Sequence, residues 1–301
     1  SAGDRSGETT AQRRRPTTGP SQRWQGSQEP AELSDAELSN SPMDDGAGKC
    51  FGTTTGSATP DVGAIYPRGS KQGSEVELKI YGDRLQSIEG LTFFQPGISV
   101  LEVKPKTAKL AEVRIQIAKD CPLGSHPLLV RTDRGFSKLH LFFVGTLREV
   151  SEKEPNDSTT KCPVVELEST VNGRIKPEDV DVFAIDVKQG QRINIEVQGL
   201  RLGDDEFDPH LTVEDSHGKR LAIVDDTILG HLDPITALDC TKSGRWYITL
   251  RENARGGSNN SFYRLHIGTF PRPLAVFPAG GKPGQQVKAR YLNDTGHFDG
   301  L

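Results

Sequence analysis

The segment VELKI, residues 76–80, decides how the chain folds. Apolar side chains at positions 76, 78 and 80 alternate with charged ones at 77 and 79. Successive side chains of a β-strand point to opposite faces, so this pattern predicts a strand with one buried and one wet face. The segment VRIQI, residues 113–117, alternates in the same manner. Both segments therefore indicate a sheet packed against a core on one side only.

The same alternation continues through the rest of the chain, at residues 192–197, 246–250 and 263–267. No window shows an apolar stripe with a period of about 3.6 residues, so long helices are not expected. The predicted fold class is all-β, with β-sandwiches in tandem. Further strands are predicted at Ile98–Val103, Leu128–Thr132, Leu139–Val144, Val180–Val187 and Leu211–Glu214, with turns rich in Gly, Pro, Asn and Asp between them.

Composition and an internal repeat divide the chain into parts. AIYPRG, residues 64–69, returns as AVFPAG, residues 275–280, and Gly73 and Val76 return at the same offset as Gly284 and Val287. The chain is therefore expected to be part of a longer protein. The predicted parts are a disordered low-complexity segment at 1–60, a first sandwich at 61–148, a second at 149–268 and the truncated start of a further module at 269–301.

Charge and composition exclude several classes of function. The 37 basic and 41 acidic residues leave a net charge of −4, without the basic field that nucleic acid requires. No apolar run approaches the roughly 20 residues that cross a bilayer. The four cysteines, Cys50, Cys121, Cys162 and Cys240, lack metal-binding spacing, and their three possible pairings stay open.

Catalytic motifs are missing from the sequence. It contains no G-x-S-x-G elbow, no H-E-x-x-H pair and no phosphate-binding G-x-x-x-x-G-K loop, and its seven histidines are scattered. The sequence therefore favours a non-catalytic protein.

Acidic residues gather at the joint between the two predicted sandwiches. Pro155 favours extended backbone in its neighbour, so residues two apart project to one side. Asp181 shares the face of Phe183 and Ile185 and borders the core, where an unpaired carboxylate is costly. Hard oxygen donors in this number suit Ca²⁺. The predicted calcium ligands are Glu152, Glu154, Asn156, Asp157, Asp179 and Asp181. The alternatives are that Arg174 or Lys176 pairs with the buried carboxylate, or that the acidic residues form a hydrated spacer between the modules.

Two further features have competing interpretations. Trp246 and Tyr247 resemble a sugar-stacking platform, but strand alternation predicts Trp246 in the core. A second acidic set lies in predicted loops and either lines another cation or ligand site or, as we favour, forms local turn hydrogen bonds. It consists of Asp204, Asp205, Asp208, Asp225, Asp226 and Asp233.

The second module resembles the bacterial pre-peptidase C-terminal domain, in the form common in planctomycete surface proteins. The matching segments include EKEPND (152–157), VNG (171–173), DVDVF (179–183), GQR (190–192), RLG (201–203), FDP (207–209), GRWY (244–247) and YRL (263–265). The resemblance implies a secreted, non-catalytic, jelly-roll-like sandwich. Related collagen-binding modules bind calcium through an E-x-E-x-N-D linker, which falls here on residues 152–157. The downstream acids fall on Asp179 and Asp181, with Glu178 as an alternative.

The first module resembles Ig-like IPT/TIG domains through Tyr66-Pro67, Gly69, Gly73, the strand at 76–82 and the segment 124–132. Together the resemblances imply an extracellular or cell-envelope protein whose modules serve display, spacing or adhesion across a calcium-rigidified linker. The alternatives are the non-catalytic region of a secreted peptidase or other hydrolase, and a carbohydrate- or collagen-type binding module. The expected partners are other domains of a longer chain and an extracellular polysaccharide or matrix protein.

Overall fold

The first sandwich consists of two facing sheets. The computed structural model describes residues 59–300 except 204, 228–229, 272 and 294–297. The strands are β1 (Asp61–Tyr66), β2 (Gly69–Lys71), β3 (Glu75–Asp83), β4 (Ile88–Phe93), β5 (Ile98–Thr107), β6 (Leu110–Ile117), β7 (Gly124–Thr132), β8 (Gly135–Phe136) and β9 (His140–Gly145). One sheet has the order β1-β3-β6-β5 and the other β2-β9-β7-β4, with β8 paired to β7.

The alternating segments of β3 and β6 supply the core of this sandwich. Leu78 and Ile80 are completely buried, as are Val113, Ile115 and Ile117 on the neighbouring strand. The charged residues between them stay on the other face, as the alternation predicts.

The second sandwich has a five-stranded sheet, β10-β11-β18-β13-β16, facing a four-stranded sheet, β12-β17-β14-β15. Its strands are β10 (Arg148–Ser151), β11 (Ser169–Arg174), β12 (Val180–Val187), β13 (Arg192–Gln198), β14 (Pro209–Asp215), β15 (Arg220–Val224), β16 (Ile235–Asp239), β17 (Gly244–Glu252) and β18 (Phe262–Gly268). Apolar residues of both sheets share one core, which includes the completely buried Ile193, Ile195 and Val197. The predicted all-β fold with tandem sandwiches is confirmed.

The joint begins with a strand that the sequence pattern did not predict. β10 pairs in parallel with β11, from Arg148 opposite Ser169 to Ser151 opposite Asn172. Its four residues are too few to show an alternating pattern, and their partner lies about twenty residues further along the chain.

A third sheet repeats the start of the first sandwich. It contains β19 (Pro273–Phe277), β20 (Arg290–Asn293) and β21 (Phe298–Gly300) in that order. Ala64 lies opposite Tyr81 in the first sandwich, and Ala275 lies opposite Leu292 in the third sheet, which is the same pairing shifted by the sequence repeat.

Within the described residues there is no α-helix, and a single 3-10 turn spans Leu200–Leu202. None of them lies in a helix long and apolar enough to cross a membrane. Cys121, Cys162 and Cys240 are free thiols. Cys50 and nearly all of the segment predicted to be disordered lie outside the described residues.

Candidate metal centre at the joint

Three of the six predicted calcium ligands come together at the joint. Glu154, Asp179 and Asp181 each place a carboxylate oxygen within 4.8 Å of the others. Glu154 lies at a bend after β10, Asp179 directly precedes β12, and Asp181 lies within β12. Three ionised carboxylates at this spacing repel one another, which favours either a proton or a cation among them, and oxygen donors of this kind are those that calcium prefers.

Asp181 is completely buried, on the core face that strand parity predicts. The Tyr263 hydroxyl donates to its Oδ2 at 2.5 Å, whereas its Oδ1 meets no donor among the described residues. Burial, and then the charge of Glu152, raise the pKa of Asp181 to about 9. The ionised form of Asp181 therefore needs a positive partner.

Glu152 lies on the other side of Tyr263. Its Oε1 accepts from the backbone N–H of Arg174 at 2.9 Å, and its Oε2 is 3.0 Å from the Tyr263 hydroxyl. Burial raises the pKa of Glu152, although these hydrogen bonds oppose the shift. A tyrosine hydroxyl has one proton and donates to one carboxylate at a time. Glu152 and Asp181 must therefore share an additional proton or a nearby cation.

Asn156 provides an observation independent of the carboxylates. It is completely buried, yet neither its Oδ1 nor its Nδ2 has a hydrogen-bond partner within the described part of the chain. Its backbone N–H donates to Glu154 Oε2 at 3.2 Å, and its carbonyl accepts from Val182 N–H at 2.8 Å. Leaving a buried amide unpaired costs about 1–3 kcal/mol. An amide oxygen held beside the carboxylates suits a calcium ligand.

Asp157 does not join the group. Its side chain is exposed and lies 3.7 Å from the Lys161 ammonium. Among the described residues, neither alternative partner forms an ion pair with these carboxylates, although Arg174 lines the same groove as Glu152 and Glu154. The Arg174 guanidinium lies 5.9 Å from the centre of the Phe262 ring, and Lys176 contacts Asp179 through its backbone N–H.

A groove of about 240 Å³ leads to the candidate centre. Glu152 and Glu154 line it, together with Tyr66 and Tyr81 from the first sandwich. Because both sandwiches contribute to its walls, an ion in solution reaches the carboxylates at the boundary between them.

Two residues that shape the centre were not predicted as part of it, namely Tyr263 and Gly173. A Cβ atom on Gly173 would lie 2.2 Å from both the Glu152 carboxylate and the Tyr263 hydroxyl, so only glycine fits. Strand parity had placed Tyr263 in the core. A tyrosine hydroxyl in a core requires a polar partner, and this is the signal that points to the centre.

The first sandwich covers the outer face of the five-stranded sheet. Alternation along β18 places Arg264 on that face, away from the core, and a solvated position was expected. Arg264 is instead only 2% exposed. Its Nη2 is 2.6 Å from Glu149 Oε1, and its guanidinium carbon lies 5.8 Å from the centre of the Phe143 ring. The expectation of a solvated side chain was wrong because the covering surface comes from the other sandwich.

Further contacts join the two sandwiches around this ion pair. The Tyr66 hydroxyl donates to the Asn172 carbonyl at 3.0 Å, and Arg68 Nη2 donates to the Leu202 carbonyl at 2.9 Å. A small apolar cluster contains Ala64, Phe143, Leu202 and Phe262. The joint is therefore a packed interface.

The second acidic set divides into separate arrangements. Asp233 is buried and accepts from the backbone N–H groups of Gly199 and Leu200, both at 2.8 Å. The Asp205 carboxylate accepts from two serine hydroxyls, those of Ser258 and Ser261. The sequence favoured local turn hydrogen bonds for these residues, and that prediction is wrong for both: their partners lie 33 to 56 positions away in the chain. Asp204 lies outside the described residues.

Asp208, Asp225 and Asp226 do converge, with oxygens within 4.8 Å of one another. The Asn253 side-chain amide donates to Asp208 and Asp225 at 3.2 and 3.0 Å. Asp226 is exposed, whereas Asp208 and Asp225 are half-buried and each has one buried carboxylate oxygen without a hydrogen-bond partner among the described residues.

Trp246 is 5% exposed and belongs to the core of the second sandwich, as predicted. Tyr247 lies on the opposite face of β17 and is half-buried.

Comparison with known proteins finds similarity at the level of fold. The domain family described as quinohemoprotein amine dehydrogenase, alpha subunit domain III, matches residues 59–142, which covers most of the first sandwich. A search of the curated proteins finds no match.

Solved structures with a similar fold include the pre-peptidase C-terminal domain of collagenase from Bacillus anthracis. It is 16% identical with a TM-score of 0.28, and the match covers 38% of this chain and 99% of that one. The mixed-linkage glucan utilization locus protein SGBP-B of Bacteroides ovatus, solved with a mixed-linkage heptasaccharide, is 13% identical with a TM-score of 0.24. That match covers 69% of this chain and 52% of SGBP-B, about half its length. SGBP-B from a xyloglucan utilization locus of Bacteroides uniformis is 9% identical with a TM-score of 0.24, covering 71% and 74%. Similarity at this level concerns the β-sandwich fold alone.

Proposed function

We propose that this chain is a non-catalytic part of an exported surface protein, in which calcium at the joint fixes one β-sandwich against the next. One observation carries the proposal. The oxygens of Glu154, Asp179 and Asp181 converge at the joint. Close by in the chain, the buried Asn156 Oδ1 and Asp181 Oδ1 have no hydrogen-bond donor among the described residues. Glu152 lies next to Asp181 across Tyr263 and completes the donor set, whereas Asp157 is the weakest member of the predicted six.

The role of the ion follows from where its ligands lie. Glu152 and Glu154 follow β10, whereas Asp179 and Asp181 stand at the start of β12. An ion held by both groups ties the linker to the body of the second sandwich. The first sandwich rests on the same sheet: its Tyr66 hydroxyl donates to the Asn172 carbonyl of β11, and its Phe143 ring lies 5.8 Å from the Arg264 guanidinium carbon. Calcium therefore stiffens the joint and is not proposed to do chemistry.

The finer parts of this proposal rest on the sequence resemblances. They comprise the planctomycete type of the second module, the IPT/TIG type of the first, an extracellular or cell-envelope location, and display, spacing or adhesion as the purpose of the array. The proposed partners are neighbouring domains of a longer chain and an extracellular polysaccharide or matrix protein.

Calcium titration followed by thermal unfolding tests the site. An ion that binds only the folded protein adds about 2.7 kcal/mol of stability when its free concentration is about 100 times Kd. Asp179→Asn should remove most of the calcium-dependent rise in Tm. Asp226→Asn is the matched control, because it makes the same charge change in the other acidic cluster and should leave the rise intact. Loss of the rise in Asp226→Asn alone would move the ion to that cluster and refute a joint site.

Limited proteolysis tests the stiffening separately. Lys153 and Lys161 are exposed trypsin sites in the linker. Calcium should slow cleavage after both lysines in the unmodified chain and have no effect in Asp179→Asn. Equal cleavage rates with calcium and with a chelator would show that the ion, even if bound, does not order the joint.

A further inference from the structure

A cavity of about 420 Å³ opens at the end of the second sandwich that lies away from the candidate metal centre. It borders the Gly244 end of β17, whereas Asp181 pairs with Leu250 further along that strand. The cavity exists because β15 and β16 are edge strands of the two facing sheets. They do not pair with each other, so the core is left open between them.

The floor of the cavity is apolar. Leu221 of β15 and Leu238 of β16 are partly buried hydrophobic residues packed on the core, and Trp246 lies with them. Such a surface suits the C–H face of a sugar ring, which packs against apolar and aromatic side chains.

The rim of the cavity is polar and carries unpaired positive charge. Lys219 and Lys242 line it, and neither forms an ion pair with any described residue. The carboxylates of Asp215 and Asp239 line it as well, and Asp239 is paired with Arg192 at 2.8 Å. Arg245 also lines the cavity, but its guanidinium is held by Asp186 at 2.9 and 3.0 Å. The two lysines therefore remain to attract an anion.

Hydroxyl and carboxylate groups on the rim complement the lysines. Ser216, Thr241 and Ser243 supply hydroxyls, and Asp215 supplies a carboxylate that can accept from a sugar hydroxyl. The Asp215 carboxylate is fixed by the backbone N–H groups of His217 and Lys219, at 2.8 and 3.0 Å.

We propose that this cavity binds a uronate residue of an acidic polysaccharide. The lysines recognise the carboxylate, the rim groups contact the hydroxyls, and the apolar floor receives the ring. An acidic peptide would satisfy the lysines but would leave the hydroxyl-rich rim without matching groups. The inference gives the proposed surface protein a ligand class, and it does not depend on calcium at the joint.

Titration of the full chain with trigalacturonate tests the proposal, in buffer without added calcium because calcium itself binds uronates. Binding should shift the indole N–H resonance of Trp246 in the NMR spectrum. The chain has two tryptophans, so the indole resonance that remains in Trp24→Phe belongs to Trp246. Lys219→Gln with Lys242→Gln should weaken binding about tenfold or more, as should methyl esterification of the sugar. Lys71→Gln with Lys138→Gln removes the same charge from exposed positions of the first sandwich and should change binding less than about twofold.

Four results would overturn the proposal. These are no binding, equal weakening by both lysine pairs, no shift of the Trp246 indole, and triglutamate binding as tightly as the sugar. The substituted lysines are exposed, so we expect all lysine variants to remain folded. Circular dichroism spectra of the variants verify this. Asp179→Asn should bind the sugar normally, which separates a failure here from a failure of the calcium site.

Discussion

The buried pair between Arg264 and Glu149 gives the sharpest test of the interface. The side chains are 3% and 15% exposed, so both charges have left most of their water. Burial lowers the pKa of Arg264, and the neighbouring Glu149 carboxylate opposes that shift. Removing one partner of such a pair leaves the other charge uncompensated, which typically costs about 3–5 kcal/mol.

Residual hydrogen bonds reduce that cost at this site. After Arg264→Met, Glu149 still accepts from the Asn172 amide at 2.6 Å. After Glu149→Gln, the new amide oxygen can still accept one hydrogen bond from Arg264, and Gln198 accepts another at 3.3 Å. We therefore expect each single substitution to cost about 2–3 kcal/mol of unfolding free energy. The double substitution should cost about the same as one single, since no buried charge is then left unpaired.

Equilibrium urea unfolding of the unmodified chain, the two single variants and the double variant completes a double-mutant cycle. We expect a coupling energy between Arg264 and Glu149 of about 2 kcal/mol. The exposed pair Arg245 and Asp186, at 42% and 63% exposure, serves as control, and Asp186→Asn should cost less than about 1 kcal/mol. Additive single effects, or a cost at Glu149 no larger than that at Asp186, would refute the conclusion that the interface is dry and packed.

Two other predictions concern the candidate centre. Gly173→Ala should displace the Glu152 carboxylate and the Tyr263 hydroxyl. It should lower the free energy of unfolding by about 1–3 kcal/mol and weaken calcium binding. An unchanged rise in Tm with calcium would show that this contact does not shape the site. The pKa of Asp181 is raised from 3.8 to about 9 by folding, so the folded, calcium-free protein holds a proton that the unfolded chain releases. Its stability should therefore fall as pH rises through this range, by at most about 1.4 kcal/mol per pH unit, and calcium should flatten the slope. Thermal unfolding between about pH 5 and 8, with calcium and with chelator, measures both slopes, and equal slopes would contradict the assignment.

Side-chain alternation predicted the inner faces of the sheets because it is a local property of each strand. Ile193 and Ile195 of β13, like Leu78 and Ile80 of β3, are buried as their spacing indicates. The same pattern says nothing about what covers the outer face. Arg264 therefore looked like a solvated residue, although its covering residue Phe143 is supplied by a strand more than a hundred positions earlier.

The candidate centre was predictable to the extent that its residues are close in sequence. Glu154 lies in the acidic linker, and Asp179 and Asp181 share a strand face, so spacing alone grouped them. Sequence spacing could not place Tyr263 at the centre. The register between β11 and β18, with Gly173 opposite Tyr263, is what brings Tyr263 to the carboxylates.

The position of β10 explains why one short segment serves both the interface and the candidate centre. The carbonyl of Asn172 accepts from the Tyr66 hydroxyl of the first sandwich and from the backbone N–H of Glu152, both at 3.0 Å. The Asn172 side chain donates to Glu149, which in turn holds Arg264. Bending the joint would break these bonds together and expose Arg264 and the apolar cluster beside it. The linker is thus a strand of the second sandwich on which the first one rests, and the calcium ion proposed at its end would stabilise a connection that packing has already made.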